Sequence, residues 1–107
     1  MRFVETSVFT RQVQSLLTDE EYRALQSALV LRPEQGSFIR NSGGLRKIRW
    51  GSRYRGSGKR GGIRAIYYWD LSTESFFMLF AYPKSMRDDL SPEQLRMLSR
   101  VVKEEFK

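Results

Sequence analysis

The side chains best suited to chemistry in this chain are cationic and phenolic. Lys47 and Arg49 alternate with Leu45 in LRKIRW, so strand parity puts both on one face. Arg64 opens a second strand-like run, GIRAIYYW, while Tyr82 and Lys84 close a third, ESFFMLFAYPK. If the five converge, they suit cleavage of RNA. A lysine crowded by like charges gives up its proton more readily and could then activate a 2′-hydroxyl. Arginine stays protonated and cannot be the base, but it stabilises charge on a phosphorane-like transition state. A second cation or Tyr82 would protonate the leaving 5′-oxygen. This chemistry calls for no metal and no cofactor.

What the chain lacks narrows the choice further. It has no cysteine and no histidine. Disulfide frameworks, thiolate metal sites, zinc hydrolases, His-dependent nucleases and Ser-His-Asp hydrolases are thereby excluded. The formal net charge is +7 and the isoelectric point about 10.1, which favours an anionic partner. That charge is concentrated. Residues 40–64 carry nine basic side chains and no acidic one, whereas the flanking segments are close to balanced.

Between the first two strand-like runs lies GSRYRGSGKRGG, a glycine-rich hairpin loop too polar to pack. Arg46, Arg53, Arg55, Lys59 and Arg60, interleaved with Trp50, Tyr54, Tyr67 and Tyr68, suit a phosphate backbone with bases stacking nearby. GSGK is not a phosphate-binding P-loop. Arg53 stands where the motif needs its first glycine, and Arg60 follows Lys59 where serine or threonine is required. RGGIRAIY likewise lacks the aromatics that RNA-recognition motifs stack on bases.

The elements that must position these residues follow from hydrophobic period. Phe3 to Thr6 predicts a short strand. Phe9, Val13, Leu16 and Leu17 predict a first helix. Thr18 and Glu21 form a capping box for a second, burying Tyr22, Leu25 and Leu29 and stopping before Pro33. Three strands follow, and ESFFMLFAY reads as covered on both faces. Ser91, Pro92 and Gln94 then start a closing helix that presents Leu95, Leu98, Val101, Val102 and Phe106. The expectation is one α+β domain over residues 1–107, ordered β-α-α-β-β-β-α. Two N-terminal helices pack on a small antiparallel sheet, with a helix at the C-terminus. Pairing of the hairpin sets Arg49 roughly opposite Arg64. The N-terminus MRFVETSVFTRQV carries no apolar signal region, and no apolar run approaches the ~18 residues of a membrane span. A cytoplasmic protein with no membrane partner is expected.

GGLRKIR, the basic loop, KRGGIRAIYY and FAYPK resemble the RelE/HigB group of bacterial type II toxins. The resemblance spans essentially the whole chain, including TDEEYRALQ and the closing helix, and is particularly close to the HigB branch. It implies a RelE-like fold and a metal-independent, ribosome-dependent endoribonuclease. Such an mRNA interferase cleaves mRNA in the ribosomal A site and so inhibits translation. It also implies a cognate antitoxin, often a helix-turn-helix protein of the HigA kind, and a ribosome with its 16S rRNA as a further partner. Lys47 and Arg49 match the family's paired basic positions, and Arg64 the arginine that contacts the scissile phosphate. Tyr82 and Lys84 match its basic and aromatic catalytic positions, and Lys59 and Arg60 its loop on ribosomal RNA. Two features depart from the pattern. Beyond Tyr82 the one aromatic residue is Phe106, where some relatives stack a tyrosine on the target base, and the histidine of others is absent. The ParE branch shares the fold but poisons gyrase without nuclease chemistry. A non-catalytic inhibitor of that kind, or a regulatory nucleic-acid-binding module, is the alternative reading.

Overall fold

The computed structural model describes residues 1–51, 62–86 and 89–106. Strand β1 (Arg2–Glu5) passes directly into helix α1 (Ser7–Leu16). Thr6 makes the junction: its hydroxyl accepts from Phe9 N at 3.0 Å as an N-cap and donates to the Leu79 carbonyl at 2.9 Å. Two residues on, α2 (Asp19–Leu31) begins with the expected capping box, Thr18 and Glu21 each bonding the other's backbone N–H. Then come β2 (Ser37–Phe38), β3 (Leu45–Trp50), β4 (Ile63–Asp70) and β5 (Ser75–Pro83). Helix α3 (Pro92–Val101) starts on a second capping box, Ser91 with Gln94, and ends in a π-helical turn, Val102–Phe106.

The five strands form one sheet in the order β1-β5-β4-β3-β2. The expected antiparallel sheet is in fact mixed. β2 through β5 pair antiparallel, but β1 lies parallel to β5, with Arg2 beside Ser75 and Glu5 beside Met78. Neither β1 nor the two-residue β2 was legible as a sheet edge. A strand joined to its neighbour by most of the chain has no hairpin to dictate direction, and two residues carry no period. β5, whose near-continuous apolar run calls for cover on both faces, places Phe76 and Met78 in one apolar layer and Phe77 and Leu79 in the other, as expected.

Two apolar layers cover the sheet. On one face Phe9, Val13, Leu16 and Leu17 from α1 and its C-cap, and Leu25 and Leu29 from α2, meet Ile48, Ile63, Ala65, Tyr67, Phe76 and Met78. On the other, Leu45, Ile66, Phe77, Leu79 and Tyr82 meet Leu90 and Val102, with Leu95 and Leu98 of α3 partly buried against them. Two groups of hydrogen bonds support the first layer. The Tyr22 hydroxyl donates to Glu5 at 2.6 Å, beside Thr10 Oγ1, which donates to the other carboxylate oxygen at 2.6 Å. The buried Tyr67 hydroxyl donates to the Pro33 carbonyl at 2.8 Å and accepts from Gly36 N at 3.0 Å, fastening the turn after α2 to the sheet.

Beyond Met78 the outer edge of β5 has outrun β1. There the Gln12 side chain replaces a strand, its Oε1 accepting from Ala81 N at 2.8 Å. No helix among the described residues is long and apolar enough to cross a membrane.

Candidate functional site

Strand parity at β3 holds. Leu45 lies in the layer under α3 and Ile48 in the opposite layer, so Lys47 and Arg49 share the α3 face. Across the ladder Arg49 is paired with Arg64, and Arg64 with Tyr82. The three form a row over β3, β4 and β5. Lys47 stands two residues along from Arg49 on that face, paired with Ile66.

Tyr82 reaches the row through an irregularity. Ile66 pairs with Phe80 and Tyr67 with Met78, which leaves Leu79 without a partner in the register. Leu79 and Phe80 consequently face the same layer, although they are consecutive. Strict alternation from Phe77 would send Tyr82 to the α1 and α2 side; one extra residue reverses that. The ladder then runs one step past β5, where the Lys84 N–H donates to the Gly62 carbonyl at 3.0 Å. Gly62 is compulsory there, because a Cβ would fall on the Trp50 carbonyl. This close approach is what allows β4 to start opposite the end of β3.

The row grades from solvent to interior. Arg49 is exposed, and Lys84, just past the end of β5 and outside the row, is half-buried. Arg64, at 3% exposure, is the single buried charged side chain among the described residues; its Nη1 donates to the Ile63 carbonyl at 3.2 Å. Tyr82 is buried as well. Burial of Arg64 was not anticipated from its position at the head of a strand.

Next to the row a cleft of about 340 Å³ opens between the β2–β3 side of the sheet and the segment preceding α3. Its polar lining is Ser37, Arg40, Lys47, Tyr82 and Asp89, over an apolar floor that includes Ile66 and Leu90. Lys47 Nζ donates to Asp89 Oδ1. Cations alone therefore do not surround Lys47, as a crowded-lysine base requires. Asp89, Ser37 and Arg40 were not singled out in the sequence. Asp89 sits in the mixed-charge segment RDDLSPE, where nothing marks one carboxylate as a strand's partner 42 residues away.

Arg46 goes elsewhere. By parity it points to the other face, where its guanidinium donates to the Glu34 and Gly36 carbonyls at 3.1 and 3.0 Å. It pairs with the Glu34 carboxylate at 3.3 Å and lies over the Phe38 ring. It braces the turn before β2 and is not brought together with Lys47. Arg53, Arg55, Lys59 and Arg60 lie outside the described residues. Among those that are described, no three carboxylates gather into a group able to hold a metal ion.

No protein-family model matches the chain.

Proposed function

We propose that the protein is a ribosome-dependent mRNA endoribonuclease of the RelE/HigB kind, a toxin held in check by a cognate antitoxin. The observation that carries the reading is the cross-strand row Arg49–Arg64–Tyr82 with Lys47 beside it on one face. Two arginines opposite each other on adjacent strands are close enough to repel. The pairing concentrates positive charge on the face where an anion would dock. Lys47 and Arg49 supply the outer charge for a phosphodiester, and Arg64 stabilises charge that develops on it. Tyr82, one strand further on, is a phenol in reach of the same phosphate, able to give a proton to the departing 5′-oxygen. Attack by the neighbouring 2′-hydroxyl breaks the phosphorus–O5′ bond and leaves a 2′,3′-cyclic phosphate and a 5′-hydroxyl.

Primer extension on a defined mRNA in a reconstituted translation reaction tests this. Cuts that appear only with ribosomes support the reading; their absence in every codon context removes it. Burial of Arg64 favours a second reading, a ParE-like inhibitor that binds without cleaving. DNA breaks or relaxation defects with gyrase, in place of RNA cuts, would establish it.

A further inference from the structure

We infer that Asp89 is the proton acceptor of the site: its carboxylate, presented by Lys47 at the mouth of the Tyr82 cleft, takes the proton of the attacking 2′-hydroxyl. This assignment rests on the nuclease reading above. It departs from that reading's starting point in the sequence, where a lysine was the candidate base.

Charged or titratable side chains reach the cleft from each flanking segment: Lys47 from β3, Tyr82 from β5, Arg40 from the turn after β2, and Asp89 from the segment before α3. α3 itself contributes Leu95, which has no proton to exchange. At neutral pH lysine, arginine and tyrosine side chains hold their protons, and a carboxylate has lost its own. A base has to begin unprotonated, and among these four the one carboxylate is that of Asp89. Before substrate arrives, the ion pair holds the carboxylate beside the cleft. Lys47 Nζ holds Asp89 Oδ1, while the Asp89 side chain stays 73% exposed and Lys47 only 20%. An exposed pair of this sort is worth little to folding, so it is open to exchange. A phosphate reaching Lys47 takes over the ammonium, and the carboxylate is left beside the ribose.

The proton count closes. The 2′-hydroxyl proton passes to Asp89 as O2′ bonds to phosphorus. The phosphorus–O5′ bond breaks, and O5′ takes a proton from Tyr82. Solvent then returns Asp89 and Tyr82 to their starting states. Lys47 and Arg49 keep their protons throughout and act as charge.

Single-turnover cleavage on programmed ribosomes, measured across pH, tests the assignment. Wild type is compared with Asp89→Asn, Asp89→Glu and Lys47→Gln. Asp89→Asn should slow cleavage by about 10²–10⁴-fold, leave ribosome affinity and thermal midpoint unchanged, and abolish the rise in rate as pH increases through the acidic range. Asp89→Glu should restore part of the rate together with that rise. Lys47→Gln should be slow yet keep it, which a mere bracing role for Asp89 would not allow. If Asp89→Asn cleaves within about threefold of wild type with the same pH profile, the assignment is wrong and the nuclease reading survives. A loss of rate that merely parallels a loss of ribosome affinity has the same consequence. If the wild-type protein makes no cut, the nuclease reading falls and takes this one with it.

Discussion

Tyr82 faces Arg64 across β4 and β5 because Leu79 drops out of the register between them. The bulge leaves both Phe76 and Met78 in the layer under α1 and α2, yet turns Tyr82 toward α3. One residue thus separates two requirements on β5. Its first half completes a core, and its last residues serve the charged row.

Arg49 offers the clean test of that row, being its exposed member. Arg49→Ala should reduce ribosome-dependent cleavage by about 10²-fold or more while changing unfolding free energy by no more than about 0.5 kcal/mol. Primer extension and urea denaturation on the same preparation read both. Arg64→Ala should also abolish growth arrest in cells lacking antitoxin, but its burial demands a thermal melt alongside. Full toxicity in a folded Arg64→Ala variant would exclude its role.

Gly62 lets β4 begin against the end of β3. Gly62→Ala sets a Cβ on the Trp50 carbonyl, and the two strand ends must separate. A loss of about 1–3 kcal/mol is expected, along with reduced activity, since Arg64 is two residues on. An unchanged urea midpoint would show that the strand ends yield freely.

Tyr22 predicts a response to alkali. Burial, then its hydrogen bond to the Glu5 carboxylate, raises its pKa well above the ordinary 10.0. The folded state therefore keeps the phenol neutral where the unfolded chain ionises. The stability this confers is complete below about pH 10 and is lost as pH climbs above it. Tyr22→Phe should cost about 1 kcal/mol at neutral pH and flatten the fall in urea midpoint between about pH 9 and 11. Part of the fall should remain, because burial also raises Tyr67. An identical alkaline limb in Tyr22→Phe would contradict the account.

The two capping boxes belong to helices on opposite faces of the sheet. Thr18→Ala and Ser91→Ala should each cost about 1 kcal/mol and add in the double variant to within about 0.5 kcal/mol. Chemical denaturation of all four proteins measures this, and a large coupling would mean that α2 and α3 do not unfold independently of each other's ends.

Local signals were the readable part of this sequence. Both capping boxes, β3 at Leu45–Trp50 and the Arg49–Arg64 pairing follow from short-range pattern, where a few neighbours decide the outcome. Less was legible wherever a long-range partner decided. β1 takes its direction from β5, more than 70 residues later. Arg46 and Lys47 look alike in sequence, yet adjacent strand positions sent one to Glu34 and the other to Asp89. The bulge has no glycine to mark it, and Asp89 looked like one acidic residue among several.

FFMLFAY is uncharged and rich in aromatics, the composition of segments that stack into fibrils. In the fold β1 covers its first residues, but beyond Met78 the strand would offer bare backbone to another molecule. The Thr6 hydroxyl occupies the Leu79 carbonyl, Gln12 occupies Ala81 N, and Pro83 has no N–H to offer. Two side chains and an imino acid thereby take up backbone positions at this end of β5 that a docking strand would pair with. Gln12, an unremarkable residue of α1, thus occupies a backbone donor that an added strand would need.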